Sequence, residues 1–176
     1  MIFSFLEIIY LIITIFVVGY IFSGFVNLGK TDLIYKKFDW EKFKFAALVA
    51  SPGIILHELS HKFVAMGFGL KSVFQIYPVG LVIGVLLKLL GSGFILLAPG
   101  YVSTFGATNI QGSLIAFAGP AVNGLLWLAG FLFVKYSKKH TLFWVYIKEI
   151  NKWLFIFNLL PIPPLDGYKA YGHLFF

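Results

Sequence analysis

Ala46-Ala47-Leu48-Val49-Ala50-Ser51-Pro52-Gly53-Ile54-Ile55-Leu56-His57-Glu58-Leu59-Ser60-His61-Lys62-Phe63-Val64-Ala65-Met66 sets an H-E-x-x-H pentad inside one of the most apolar stretches of a very apolar chain. Histidines at i and i+4 lie one turn apart on one helix face, so both imidazoles can reach a single metal ion. The glutamate beside the first histidine can hold a metal-bound water and take its proton. Charged groups at membrane depth cost roughly 2.5–3.5 kcal/mol each on insertion, which marks them as functional. At 1.5 Å per residue His57 falls about 18 Å from Phe45 and about 13 Å from Met66, nearer the Gly67 end. The face it shares, Ala46, Ala50, Gly53, Ile54, His61 and Ala65, is small enough for a second helix to approach closely. Pro52 removes a backbone hydrogen bond and is expected to bend the helix toward the site.

The rest of the composition agrees with a lipid setting. Of 176 residues, 60% are hydrophobic and 12% charged, more apolar surface than a soluble core of this size can hide. The chain reads as an all-α polytopic membrane protein, a single membrane-embedded domain over residues 1–176 with its core at 45–167. The 21 Phe suit lipid contact and interfacial belts. Net charge is +7, and all 14 basic residues are Lys. No basic patch interleaves with exposed aromatics, so nucleic acid is excluded as a partner. With no cysteine, a metal must be held by His, Asp, Glu or Asn.

Five apolar blocks follow one another. Ile2–Val26 lacks a basic leader and a small-x-small cleavage site and reads as a retained, accessory transmembrane helix, with Glu7 reaching the interface. A charged loop, Asn27–Lys44, leads to Phe45–Met66, which holds the pentad. Ser72–Tyr77 and Tyr101–Thr104 are short strand candidates. Between them lies Leu81–Ala98, with Lys88 at its middle and Gly84, Gly91 and Gly93 around it. That pattern suits a re-entrant or interfacial segment better than a span. Gly112–Val134 and Thr141–Leu160 complete the set. The expected architecture is four spanning helices, a re-entrant or interfacial segment at 81–98, and short flanking β-strands.

A catalytic zinc takes three protein ligands and keeps one position open. The candidates for the third are His140, His173, Asp32, Asp39, Glu41, Glu149 and Asp166. Asp166 has the best context, in Asn158-Leu159-Leu160-Pro161-Ile162-Pro163-Pro164-Leu165-Asp166-Gly167. Prolines end the fifth block and Asp-Gly makes a turn; taken alone, the motif reads first as an ordinary helix-terminating loop at the surface, and otherwise as irregular backbone that is tolerated at membrane depth where it lines a polar cavity. Topology couples the two motifs. If 81–98 spans the bilayer, Asp166 arrives on the side opposite His61. If it folds back, Asp166 arrives on the pentad's side.

The pentad, then Ala118-Gly119-Pro120-Ala121-Val122-Asn123, then the Asn158–Gly167 motif resemble, in that order, the three-helix core of the site-2 protease family of intramembrane zinc metalloproteases. The resemblance covers roughly Phe45 to Gly167. It implies one zinc per chain held by His57, His61 and Asp166, Glu58 as catalytic base, and Asn158 and Asn123 near the substrate. The implied function is hydrolysis of peptide bonds in or near transmembrane segments of membrane proteins; the alternative is a membrane zinc-binding protein without proteolysis. The implied partners are a transmembrane protein substrate and the lipid bilayer, in the cell membrane of a prokaryote. One departure is Tyr168, where the family often has a second glycine.

From the residues alone, Asn123 and Asn158 serve either a helix–helix contact or a substrate. Lys62, Lys88, Lys148, Glu149 and Lys152 read as interfacial or snorkelling side chains, and His140 as solvated. The lysines of Asn27–Lys44 favour a cytoplasmic loop under the positive-inside rule; the resemblance implies the reverse orientation.

Overall fold

The computed structural model describes residues 2–29, 38–91, 99–137 and 139–175, the side chains of 173–175 excepted. The described residues are mostly helical, with one two-stranded sheet among them. It divides into two compact units, Met1–Ser51 with Ile76–Tyr101, and Pro52–Gln75 with Val102–Phe176.

The first unit holds α1 (Phe5–Phe22) with a following 3-10 turn, Ser23–Phe25, the N-terminal part of α2 (Trp40–Gly67), and α3 (Pro78–Leu89). Helix α1 opens with a reciprocal cap. Ser4 Oγ accepts from the Glu7 N–H at 3.2 Å, and the Glu7 carboxylate accepts from the Ser4 N–H at 2.8 Å. Glu7 is buried, its carboxylate answering a helix-end N–H. Lys88, partly buried, meets the other end of α1. Its Nζ donates to the Tyr20 carbonyl and, at 2.7 Å, to Ser23 Oγ, and it lies 3.4 Å from the centre of the Tyr20 ring. A cation thus answers a carbonyl and a hydroxyl at the C-terminal end of α1, where the helix dipole favours positive charge.

Helix α3 starts with Pro78 at its first turn and has 12 residues, about 18 Å of length against a hydrocarbon core of about 30 Å. Residues 92–98 of the Leu81–Ala98 segment lie outside the described residues. The two ends of the segment are adjacent: the Tyr77 N–H donates to the Pro99 carbonyl at 3.0 Å. The chain returns to where it left.

The second unit holds the rest of α2, the sheet, α4 (Asn109–Tyr136), α5 (Thr141–Asn158) and α6 (Asp166–Phe175). Strands β1 (Ser72–Ile76) and β2 (Gly100–Thr104) lie where the β-branched and aromatic runs predict them. They are antiparallel, since Phe105 N–H meets the Lys71 carbonyl at 3.3 Å at the end opposite the Tyr77–Pro99 bond. Helix α4 opens with a capping box between Thr108 and Gln111 and packs against α5 and α6. Helix α6 is an addition to the sequence reading, whose last assigned block is Thr141–Leu160. It begins at Asp166, an acidic residue suited to a helix start, directly after the turn Pro161–Leu165.

Among the described residues two segments, Phe5–Phe25 and Asn109–Tyr136, are long and apolar enough to cross a membrane. The other two expected spans, α2 and α5, carry Glu58 and Lys62, and Lys148, Glu149 and Lys152. These ionisable side chains lower the apolarity of the helices that bear them.

Candidate metal centre

His57 and His61 project from α2, and Asp166 comes from the start of α6, more than a hundred residues later in the chain. Their ligand atoms converge. His57 Nε2 lies 2.8 Å and His61 Nε2 3.3 Å from the same oxygen, Asp166 Oδ2, and the two Nε2 atoms are 3.2 Å apart. Both histidines are buried, at 7% and 6% exposure, and Asp166 is partly buried. Glu58 is buried beside them, within electrostatic range of Asp166 and Lys169.

The other ring nitrogens fix the tautomers. His61 Nδ1 stands 2.6 Å from the Ile115 carbonyl, which can only accept, so Nδ1 carries the hydrogen. His57 Nδ1 stands 2.6 Å from Asn123 Oδ1. That amide is oriented by its other end, since Asn123 Nδ2 donates to the Gly53 carbonyl at 3.0 Å and to Asn151 Oδ1 at 2.9 Å. Both Nε2 lone pairs therefore face the Asp166 carboxylate.

Three acceptors at 2.8–3.3 Å with no donor among them repel one another unless a cation or protons lie between them. A divalent ion answers all three at once. Tetrahedral zinc with bonds of about 2.0–2.1 Å separates its ligand atoms by about 3.3 Å, close to the spacings seen here. Room is provided by Gly119 of α4: a Cβ there would lie 2.6 Å from His57 Cε1 and closer still to His61 Nε2. Two neutral imidazoles and a carboxylate, each imidazole tethered through its far nitrogen, are a donor set suited to zinc. The residues fit the ion that the resemblance implies.

Asp166 reaches the histidines because the chain turns sharply after α5. Ile162 N–H donates to the Leu160 carbonyl at 2.8 Å and Leu165 N–H to the Ile162 carbonyl at 2.9 Å, and the Pro163–Pro164 bond is cis. Gly167 permits the return, since a Cβ at that position would lie 2.5 Å from the carbonyl oxygens of Leu159 and Leu160.

The other candidates go elsewhere. Asp39 caps the start of α2, its Oδ1 accepting from the N–H groups of Glu41 and Lys42 at 3.0 and 3.1 Å. Glu41 is exposed, and His140 is an exposed left-handed residue at the N-cap of α5. Glu149 pairs with Lys148 and Lys152 at 2.9 and 2.5 Å. Asp32 and the side chain of His173 lie outside the described residues. Asn158 ends α5, half-buried, and takes no part in the hydrogen bonds of the cluster. Asn123 is fully buried, and its groups are engaged by His57, Gly53 and Asn151 rather than turned to open space.

Two residues are better placed than the sequence reading has them. Lys62, expected at the interface, is 2% exposed: its Nζ donates to the Ser72 carbonyl at 2.8 Å while Ser72 Oγ donates to the Lys62 carbonyl at 3.3 Å. This reciprocal pair ties the start of β1 to α2 one residue beyond His61. Asn151, a neutral polar residue in an apolar block, was legible by the reasoning applied to Asn123 but is masked by its charged neighbours Lys148, Glu149 and Lys152.

Comparison with known proteins agrees with this centre. The chain is 36% identical over 174 residues to a protein of Methanocaldococcus jannaschii named "Putative zinc metalloprotease MJ0611", covering 96% of this chain and 84% of that one. It is 30% identical over 137 residues to "Putative zinc metalloprotease YwhC" of Bacillus subtilis, covering 65% of this chain and 61% of that one. It is 32% identical over 139 residues to "Putative zinc metalloprotease Rip2" of Mycolicibacterium smegmatis, covering 66% and 52%. The chain thus spans little more than half the length of the last two. No family model and no solved structure matches. The chain belongs to the site-2 protease family of zinc metalloproteases.

Proposed function

We propose that this chain is an intramembrane zinc endopeptidase that hydrolyses peptide bonds in or near transmembrane segments of membrane proteins. The observation that carries the reading is the meeting of His57 Nε2, His61 Nε2 and Asp166 Oδ2. Those three residues would hold one zinc, and Glu58 is the general base. Zinc, when bound there, supplies Lewis acidity toward a water and a peptide carbonyl. His57 and His61 present unprotonated nitrogens because their far nitrogens are tied up as donors. The Asp166 carboxylate balances part of the ion's charge. Glu58 takes the proton of the attacking water and passes it to the departing amide nitrogen. Asn158, beside the proline turn, orients the substrate.

The membrane setting is proposed on composition and architecture together. Helix α4, which supplies Gly119 and Asn123, lies in a segment long and apolar enough to cross a bilayer. In our reading α1, α2, α4 and α5 span, and 78–98 folds back without crossing, as the Tyr77–Pro99 bond supports. The chain is then a multi-pass membrane protein. A helical substrate must unwind to expose its peptide bonds, and the β1–β2 sheet offers an edge on which an unwound segment can add as a strand. Proline substitution along Ser72–Tyr77 tests that step, and undiminished cleavage would remove it.

The test of the whole reading is co-expression with a single-span substrate. Wild type should cleave it, and Glu58→Gln should retain zinc and lose cleavage by about two to four orders of magnitude. Cleavage that survives this change sinks the mechanism. Zinc held by wild type with no cleavage of any membrane substrate favours a zinc-binding protein instead.

A further inference from the structure

Helix α5 contributes no ligand to the centre, yet it carries a fully buried amide on a line that ends at His57. Asn151 Nδ2 donates to the Ile147 carbonyl one turn earlier in α5, at 2.8 Å, which leaves Oδ1 as its acceptor end. That oxygen receives Asn123 Nδ2 at 2.9 Å. The same Asn123 nitrogen donates its second hydrogen to the Gly53 carbonyl at 3.0 Å, and Asn123 Oδ1 accepts from His57 Nδ1 at 2.6 Å. Asn123 and Asn151 are each 0% exposed.

The direction of each bond in this line is determined. An amide in Asn123's place could be rotated to present its nitrogen to His57. That rotation would turn the Asn123 oxygen toward two acceptors, the Gly53 carbonyl and Asn151 Oδ1. Two acceptors on one side oppose it, and Asn151 is one of the two. With the oxygen held toward His57, the ring must carry its hydrogen on Nδ1 and offer a lone pair at Nε2. Asn151 thus biases the tautomer of a ring it does not touch.

The surrounding backbone is shaped around this amide. A Cβ on Gly53 would lie 2.6 Å from Asn151 Oδ1 and 3.1 Å from Nδ2, so the α2–α5 approach is possible only because position 53 has no side chain. Gly53 is also one helical turn before His57, where its carbonyl is the α-helical partner of the His57 N–H. Asn123 therefore grips both the His57 ring and the backbone turn that carries it.

We propose that Asn151 is a positioning residue for the metal centre, acting through Asn123 to hold His57 in its metal-binding tautomer and orientation. This rests on the reading that His57, His61 and Asp166 hold zinc. Outer partners of metal-bound histidines are worth about 10–100-fold in metal affinity. Asn151 is one step further out, so the lower end, about tenfold, is expected for its loss.

The experiment is zinc competition against a chromophoric chelator, with the full chain in detergent. It compares wild type, Asn151→Leu, Asn123→Ala and the double variant, with apo-protein melting measured alongside. Asn151→Leu should weaken zinc about tenfold, and the double variant should bind no more weakly than Asn123→Ala alone, because one residue acts through the other. A purely structural role would lower the melting temperature and leave zinc affinity unchanged, or would add to the Asn123 effect; either result overturns the proposal. Asn151→Ser, which truncates the amide and keeps the space polar, is measured in parallel, so that a folding failure of the leucine variant still leaves a reading. Wild type that binds no zinc refutes the metal reading itself; wild type that binds it and an unaffected Asn151 series refute this proposal alone.

Discussion

Gly119→Ala is the sharpest single test of how the centre is built. The added methyl carbon would lie 2.6 Å from His57 Cε1 and nearer still to His61 Nε2. Ordinary carbon–carbon contact is about 3.5–4.0 Å, so α4 or the two imidazoles must give way by about 1 Å. Metal sites tolerate ligand displacements of about 0.2 Å, so the shift cannot be absorbed while all three ligands stay on one ion. Overpacking of this kind costs about 1–3 kcal/mol of stability. The loss of alignment should weaken zinc by at least the 10–100-fold associated with outer-shell damage. The assay is zinc retention by the purified full chain during chelator titration. Gly112→Ala is the control. It lies on the same helix with nothing within 4 Å of its added carbon, and replacing glycine inside a helix should stabilise by about 0.5–1 kcal/mol. Gly119→Ala binding zinc as wild type does, while folded, would refute the argument that position 119 makes the room for the ion.

Three further outcomes follow from the same geometry. Asp166→Asn removes the one anion among the three ligands and should weaken zinc about a hundredfold or more, read by the same competition. Stripping the metal should lower the melting temperature, since an ion at a hundred times its dissociation constant contributes about 2.7 kcal/mol; a chelator-insensitive melting curve would count against the three-acceptor site. Lys62→Met withdraws the donor from the buried Ser72 carbonyl and should cost about 1–3 kcal/mol in unfolding measurements while leaving zinc affinity unchanged.

Much of the fold was legible because long apolar runs simplify the sequence code. Apolar runs of 18 or more residues announce helices without any need for periodicity, and α1, α2, α4 and α5 each overlap one of the expected blocks, α2 and α4 extending past both ends of theirs. The strands were legible for a different reason: Ser72–Tyr77 and Tyr101–Thr104 are β-branched and aromatic between glycine and proline breakers. What stayed hidden is where a charged side chain goes. Glu7, Lys62 and Lys88 look alike in sequence, as charges in apolar runs with an interface in reach. Each instead meets a backbone group left over at an element's end: the Ser4 N–H, the Ser72 carbonyl and the Tyr20 carbonyl. Such partners are created by folding and have no signature at the residue that uses them.

The centre shows the same boundary from the other side. The meeting of His57, His61 and Asp166 was legible because zinc chemistry restricts both residue type and spacing: two histidines four apart, then an acid in a turn. That last condition was a topological demand on 81–98, whose flanks Tyr77 and Pro99 are joined by a backbone hydrogen bond. The layer behind the ligands has no comparable rule. An asparagine in an apolar helix must be bonded to something, but sequence does not say whether that is a substrate, a neighbouring helix or an imidazole. The answer lies in which acceptors surround it. Asn123 faces the Gly53 carbonyl and Asn151 Oδ1 on one side, and this leaves its oxygen for His57. Both hydrogens of the Asn123 amide are bonded within the protein, and its oxygen takes the His57 ring.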